Sequence, residues 1–164
     1  MNERQEPTAA RPHMPGYGTL PAAEGTGLLP WSWATDRLTT SHDYWVATTW
    51  PDGRPHVSPV WGVWLDDDVW FSCSPGSRKA RNLAADPRCT MTTDNALEPV
   101  IVEGRATLDL AGVPAFTDAI NAKYEETYTV EFFGDNHLYR VAPATVIGLT
   151  EADFAGSPTR WRFT

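Results

Sequence analysis

Short runs rich in apolar, β-branched and aromatic residues occupy the middle of the chain and predict β-strands separated by tight turns. The first run, residues 44–50, is rich in β-branched and aromatic side chains, and residues 56–65 continue the sheet beyond a break. The break has a Pro-Asp-Gly core, in which proline presets φ and glycine tolerates a positive φ. A third strand at residues 69–74 follows an acidic turn, so three consecutive antiparallel strands are predicted.

Three other stretches are predicted to be helices, the first and the last from apolar residues that share one helical face. Residues 31–40 form the first, and residues 113–127, with apolar side chains four positions apart, form the last. The middle helix, residues 78–85, follows Ser77, a residue type preferred at the N-cap. It ends before Pro87, because the residue that precedes a proline is disfavoured in a helical conformation.

Four further strands are predicted, at residues 89–93, 100–110, 138–149 and 159–163. Gly104, inside the second of these, is expected to mark a β-bulge. Six or seven antiparallel strands with a few inserted helices predict a mainly β fold that closes as an antiparallel barrel.

The first 30 residues are rich in proline and glycine and show no periodicity, so residues 1–30 are predicted to be a flexible arm. The rest, residues 31–164, has the size and the apolar content of one domain. Its many tryptophans indicate a thick core, an interface or a planar ligand.

The formal net charge of −8 argues against nucleic acid and against an anionic membrane surface as partners. The apolar runs are too short to cross a membrane, and the first residues lack the layout of a signal peptide, so a cytoplasmic protein is expected. Cys73 and Cys89 are expected to be free, buried thiols. The four histidines are scattered, so no metal site is expected.

Against this acidic background, four basic residues fall within eleven positions at one predicted helix: Arg78, Lys79, Arg81 and Arg88. Basic side chains at a helix N-terminus are unfavourable unless an anion completes the site, because that end is already partly positive. Two of these cationic side chains, together with Ser77 and the free backbone N–H groups, would form a phosphate-binding cradle. The alternative is a solvated basic helix face.

A proline in the middle of the second strand is the other unusual feature. Pro59 cannot donate to a strand ladder, so the strand must be interrupted or must lie at an edge there. Unpaired backbone groups at such an edge can bind the heteroatoms of a flat heterocycle. Trp61 and Trp64 lie three positions apart and therefore project from opposite faces, one into the core and one towards a pocket. The alternative is an ordinary edge strand.

Four motifs occur in an order that resembles the pyridoxamine 5′-phosphate oxidase-like superfamily: DGRP, S-P-V-W, S-x-K-x-R-N-L-x-x-D-P and V-E-G-x-A. The resemblance covers about residues 38–110 and is strongest to the actinobacterial branch that binds FMN or the deazaflavin coenzyme F-420. It implies a split β-barrel that forms a homodimer, with a cofactor in the crevice between the two barrels. The C-terminal Arg and His pattern of vitamin B6 oxidases is not found after Val141, which disfavours that activity.

The resemblance places the phosphate-binding lysine at Lys79, with Ser77 and Arg78 as further phosphate contacts. It implies that Asn82 holds this helix in place, and that Arg81 and Arg88 either contact the longer anionic tail of F-420 or lie in solvent. The cofactor ring is expected on four residues of the second strand: Ser58, Pro59, Val60 and Trp61. A contribution of Trp161 and Arg162 to the partner's site is also suggested.

The implied activity is hydride transfer between reduced F-420 and a small conjugated or heteroaromatic substrate, with the cofactor supplying the chemistry. An FMN-dependent oxidoreductase on the same fold and a non-catalytic flavin- or haem-binding protein are the alternatives. No catalytic residue is assigned, because His56, Tyr44 and Tyr128 are eligible but each residue type is more often structural. The substrate pocket is expected to include the loops at residues 94–99 and 127–137.

Overall fold

The structure, a computed structural model, describes residues 6–164. Its strands are β1 (Thr8–Ala10), β2 (Asp43–Thr49), β3 (Pro55–Leu65), β4 (Asp68–Cys73), β5 (Arg88–Thr93), β6 (Val100–Leu108), β7 (His137–Gly148) and β8 (Thr159–Arg162). Its α-helices are α1 (Trp31–Thr40), α2 (Arg78–Ala85), α3 (Val113–Tyr124) and α4 (Val130–Gly134). None of the helices in residues 6–164 is long and apolar enough to span a membrane.

Six of the strands close into an antiparallel barrel. They follow one another in the order β7-β4-β3-β2-β5-β6, and β6 pairs with β7 to complete the circle. β8 and then β1 extend the sheet outward from β7. The prediction of a mainly β, six- or seven-stranded antiparallel barrel with a few inserted helices is therefore confirmed.

The barrel interior is filled by alternate residues of the strands. In β2, Tyr44, Val46 and Thr48 point inward and are buried, whereas Trp45 lies outside. Other large buried side chains of the barrel core are Leu38, Phe71, Met91, Val102 and Trp161. Burial of an apolar side chain of this size contributes roughly 1.5–3 kcal/mol. A shift of a strand by one residue would turn these side chains outward and lose that energy, so their alternation fixes which face of each strand lies inside.

A second apolar cluster lies outside the barrel, where α3 and α4 cover β3, β4 and β7. The predicted apolar face of α3 is confirmed, since Phe116 and Ile120 are both buried against Trp70 and Leu138. The helix ends three residues earlier than predicted, at Tyr124. α4 was not predicted, because a single helical turn is too short to show periodicity.

The predicted bulge at Gly104 is confirmed. The register of β6 against β7 shifts between Glu103 and Gly104, where the two strands approach closely. A Cβ atom at this position would collide with the carbonyl oxygen of Ala142. Glycine is required here because the neighbouring backbone occupies the space of a side chain.

The part of the N-terminal arm that the structure describes contains a strand that the sequence did not predict. β1 pairs with β8, and this pairing uses backbone groups that leave no pattern in the sequence. Beyond it, the Arg11 guanidinium donates to five backbone carbonyl groups, those of Leu20, Pro21, Glu24, Gly27 and Pro158. The division between arm and barrel domain stays a prediction, and residues 1–5 lie outside the described range.

Candidate cofactor site

The barrel opens along one edge of β3. β4 pairs with β3 only between Gly62 and Leu65, whereas β2 pairs with β3 from Pro55 to Trp61. Among residues 6–164, residues 55–61 of β3 therefore have a neighbouring strand on one side only. Pro59 lies in the middle of this stretch, so the edge that it predicted is present. A proline fits there because an unpaired edge needs no N–H donor.

The two tryptophans of β3 lie on opposite sides, as their spacing predicted. Trp64 is half-buried and packs against the barrel core, next to Trp31. Trp61 is 40% exposed, and its indole stacks on the ring of Tyr124 at a centroid distance of 4.2 Å. Trp61 is therefore the one that faces the open edge.

The end of α3 holds the backbone of β3 beside Trp61. The Tyr124 hydroxyl donates to the carbonyl of His42 and accepts from the N–H of Gly62, with 3.0 Å between N and O. The Lys123 ammonium donates to the Gly62 carbonyl at 2.8 Å. Burial lowers the pKa of Lys123 to about 8, although Asp43 and Asp94 act in the opposite direction. Sequence reasoning missed both residues, because their contacts lie about 60 positions away.

The basic helix α2 begins as predicted. Ser77 is the N-cap, and its Oγ accepts from the N–H of Ala80 at 3.3 Å. Arg78 and Lys79 are half-buried in the first turn, and Arg81 is exposed. Within residues 6–164 none of these three cations forms an ion pair, whereas four other arginines do: Arg37, Arg54, Arg88 and Arg140. The helix N-terminus therefore presents positive charge that the described part of the chain leaves unneutralised.

Trp50 positions the first cation of the helix. The Arg78 guanidinium lies 3.6 Å from the centroid of the Trp50 ring, and the Arg54 guanidinium lies 4.3 Å from it. Arg54 is also paired with Asp52 at 2.8 Å. Stacking on an aromatic face leaves the N–H groups of a guanidinium at its rim free to donate.

Arg88 does not belong to this cluster. It lies beyond the other end of α2, at the start of β5, and its guanidinium is paired with Asp86 at 2.6 Å. The hydrogen bonds from Arg88 lower the pKa of Asp86 to about 2. Of the two arginines suggested for an anionic tail, only Arg81 lies near the helix start. The side chain of Trp161 is 1% exposed and packs against Trp31 in the apolar core, so it does not reach the surface. Arg162 is exposed, and its suggested contribution to a partner's site stays a prediction.

Three buried polar atoms near α2 and β3 lack hydrogen-bond partners within the described chain. Asn82 is fully buried and donates to Thr48 Oγ1 at 3.0 Å, which ties α2 to β2, but its Oδ1 is unpartnered. Ser58 Oγ and His56 Nδ1 are also unpartnered, and His56 lies opposite Thr48 in the β2–β3 register. Since an unsatisfied buried polar atom costs roughly 1–3 kcal/mol, these atoms suit an occupant that brings its own polar groups.

The predicted site residues thus fall on two adjoining elements. Ser77, Arg78, Lys79 and Arg81 share the start of α2, and Asn82 links that helix to β2, the strand that pairs with β3. Along β3, Pro59 and Trp61 point outward, whereas Ser58 is half-buried and Val60 is buried. Val60 can therefore offer a cofactor its backbone but not its side chain.

The chain matches the pyridoxamine 5′-phosphate oxidase family over residues 34–150, which include the six barrel strands and α2. It belongs to that family. The split-barrel fold of the family binds flavin-type cofactors, and its members include oxidoreductases. No curated protein matches the chain.

Solved structures with the same fold are numerous. A conserved hypothetical protein from Mycobacterium tuberculosis has a TM-score of 0.69 and 21% identity, over 76% of this chain and 87% of that one. An F-420 reductase has a TM-score of 0.55 and 26% identity, over 68% and 93%. A heme-binding protein from Mycobacterium smegmatis has a TM-score of 0.57 and 21% identity, over 79% and 62%. The fold is therefore shared by proteins that carry different cofactors.

Proposed function

We propose that this chain is an oxidoreductase that transfers a hydride between reduced coenzyme F-420 and a small conjugated or heteroaromatic substrate. The observation that carries the proposal is the set of cations without carboxylate partners at the start of α2, beside the open edge of β3. Similarity to an F-420 reductase supports the choice of cofactor. The cofactor, when bound, supplies the hydride chemistry, and the chain supplies binding and orientation.

The phosphate group of the cofactor would bind at the start of α2. The first N–H groups of the helix, next to the Ser77 cap, lie at the positive end of the helix dipole and would bind an anion there. Lys79 would add a positive charge. Arg78, held on Trp50, adds a planar donor group. F-420 carries a longer anionic tail than FMN, and the exposed Arg81 is the cation placed to meet it.

The ring of the cofactor would lie along residues 58–61 of β3. The one-sided strand offers backbone groups to the ring's heteroatoms, and Ser58 Oγ is a buried polar atom without a partner in residues 6–164. Trp61 would contact the ring with its indole, whose position is fixed by Tyr124. No side chain is assigned as proton donor, and the chain's part in the reaction is to orient the ring and exclude water from it.

The proposed assembly is a homodimer with one cofactor between the two barrels. The outer face of β2 and β3 exposes Trp45, Val57 and Trp61, and Pro59 lies opposite Trp45 in the register. A contiguous exposed patch of this kind is typical of an interaction surface. A second copy of this face would cover the patch and would close the crevice along β3.

The first experiment is a fluorescence titration of cofactor-free protein with F-420 and, separately, with FMN. Lys79→Ala is expected to weaken F-420 binding at least tenfold, which corresponds to about 1.4 kcal/mol. Arg88→Ala is the matched control, because Arg88 is exposed, already paired with Asp86 and distant from the helix start.

Each outcome of this titration has a distinct meaning. Tighter binding of FMN than of F-420 would show that the cofactor of this site is the flavin and not the deazaflavin. Equal losses in the two variants would show a nonspecific charge effect, and no binding of either cofactor would overturn the proposal.

A further inference from the structure

A cavity of about 240 Å³ lies between Trp61 of β3, the end of β4 and the helices α3 and α4. Five aromatic side chains line this cavity, the aromatic pocket: Trp61, Phe116, Tyr128, Phe132 and Phe133. Three of these come from residues 127–137, one of the two loops that the sequence suggested for a substrate pocket. Pockets for drug-sized ligands start at about 300 Å³, so this one suits a smaller molecule.

The rings hold one another in place and shape the walls. Tyr128 and Phe132 are stacked, with centroids 4.8 Å apart and planes at 23°. Phe133 meets Phe132 and Phe116 edge-on, at centroid distances of 5.1 and 5.0 Å. Mutually packed rings form flat, rigid apolar surfaces, and these favour a planar ligand that can stack or pack edge-on. Phe132 is 50% exposed, so one wall is open to an entering molecule.

The pocket contains no charged side chain among the residues that line it. Apart from the Tyr128 phenol, its polar side chains are Ser72, Cys73 and Asn136, and Asn136 Nδ2 is already used in a bond to the Phe132 carbonyl at 2.8 Å. Burial raises the pKa of the Cys73 thiol, so that side chain also stays neutral at physiological pH. A charged ligand would lose its hydration here without gaining a counter-charge, so the lining selects for a neutral one.

The pocket adjoins the proposed cofactor site. Trp61 belongs to both, since it ends the one-sided stretch of β3 and also lines the pocket. Cys73 is the last residue of β4 and precedes the Ser77 cap of α2 by only four positions. A molecule in the pocket would therefore lie beside the strand proposed to carry the cofactor ring.

We propose that the aromatic pocket binds the substrate, and that this substrate is a neutral, planar molecule of one or two fused rings. The role of the bound molecule as hydride acceptor or donor rests on the proposed function, whereas the selection for a neutral planar ring follows from the pocket alone. Ser72 and the Oδ1 atom of Asn136 offer it one or two hydrogen bonds.

Two non-reducible probes of equal ring size test this without any turnover: 2-naphthol, which is neutral at pH 7, and 2-naphthoate, which is an anion. We expect saturable calorimetric binding of 2-naphthol and at least tenfold weaker binding of 2-naphthoate. Phe132→Ala should weaken the binding of 2-naphthol at least fivefold, and Ser72→Phe, which fills the cavity, should abolish it. Phe154→Ala is the control, because Phe154 is similarly exposed and lies outside the pocket.

The same protein samples are titrated with F-420 to separate this inference from the proposed function. If F-420 binds but 2-naphthol shows no saturable binding, the proposal for the pocket is overturned and the proposed function is not. The same holds if F-420 binds and 2-naphthoate binds as tightly as 2-naphthol. Unchanged 2-naphthol affinity in both pocket variants also overturns it. Selective 2-naphthol binding that the pocket variants remove supports the pocket, even if F-420 fails to bind and the proposed function falls.

Discussion

The indole of Trp61 lies flat against the phenol ring of Tyr124, with the two planes inclined by 7°. The hydroxyl of the same tyrosine is bonded to the backbone on either side, at His42 and at Gly62. Tyr124 therefore fixes both the main chain of β3 and the side chain that borders the candidate cofactor site and the aromatic pocket. The orientation of Trp61 is set from outside the barrel, by the last turn of α3.

Two substitutions at Tyr124 separate its hydroxyl from its ring. Tyr124→Phe should lower the free energy of unfolding by about 1–2 kcal/mol, because the Gly62 N–H loses its acceptor while the stacking remains. Tyr124→Ala should in addition weaken F-420 binding, because Trp61 loses the ring that holds it. Urea denaturation and cofactor titration measure the two effects. Tyr17→Phe, at an exposed tyrosine, is the control and should change neither.

Lys123 should make the stability of the protein depend on pH above neutrality. Its pKa falls from 10.5 to about 8 on folding, because burial disfavours the charged ammonium. Between these values the unfolded chain binds more protons than the folded one, so the free energy of unfolding contributed by Lys123 rises with pH from about 8 towards 10. Conversely, this contribution is lost as the pH falls through 8.

The measurement compares wild type and Lys123→Met by urea denaturation from pH 7 to pH 10. Burial raises the pKa of Tyr44 and of Tyr124, which Lys123 contacts, so both side chains stay protonated in the folded state of either protein up to pH 10. Their titration in the unfolded chain is the same in the two proteins and cancels in the difference. The stability of wild type relative to the variant should increase across the interval. A difference that stays constant with pH would show that Lys123 does not titrate there.

Secondary structure could be predicted from the sequence because it depends on residues close together in the chain. The barrel strands follow from runs of β-branched and aromatic residues between turn signals, and their observed ends lie within two residues of the predicted ones. The cap at Ser77 and the bulge at Gly104 follow from the conformational preferences of single residues. The edge at Pro59 follows from its missing N–H donor.

Contacts between segments that lie far apart in the chain could not be predicted in this way. The Tyr124–Gly62 bond joins residues 62 positions apart, and nothing in the composition of α3 indicates which strand its last turn will meet. Likewise the stacking of Arg78 on Trp50 depends on how α2 packs against the end of β2. The sequence therefore indicated Asn82 as a residue that holds α2 in place. It did not indicate Tyr124, Lys123 or Trp50, whose contacts position the other candidate cofactor residues.

The buried hydrogen bond between Asn82 and Thr48 should stabilise the fold. Asn82→Ala is expected to lower the free energy of unfolding by about 1–3 kcal/mol, because it removes a buried hydrogen bond and leaves Thr48 Oγ1 without its donor. A double-mutant cycle with Thr48→Val should give a coupling energy of about 0.5–3 kcal/mol. Arg81→Ala, at an exposed position of the same helix, should change stability by less than about 0.5 kcal/mol.

Trp45 tests the proposed dimer. It is 45% exposed at the centre of the β2–β3 face, where a second copy would bury it. Trp45→Glu places a charge in that interface, so the mass from light scattering should fall from that of two chains to that of one. Leu97→Glu is the matched control, because Leu97 is also exposed but lies in the loop between β5 and β6. It should leave the mass unchanged.

If the crevice between two barrels forms the cofactor site, Trp45→Glu should also weaken F-420 binding, although Trp45 contributes no group to the phosphate cradle. The loss should diminish at high protein concentration, because mass action restores the dimer. A monomeric variant that binds F-420 as tightly as wild type would show that one chain holds the complete site. A wild-type protein that is itself monomeric would leave the exposed β2–β3 face without the proposed partner and would exclude the shared crevice.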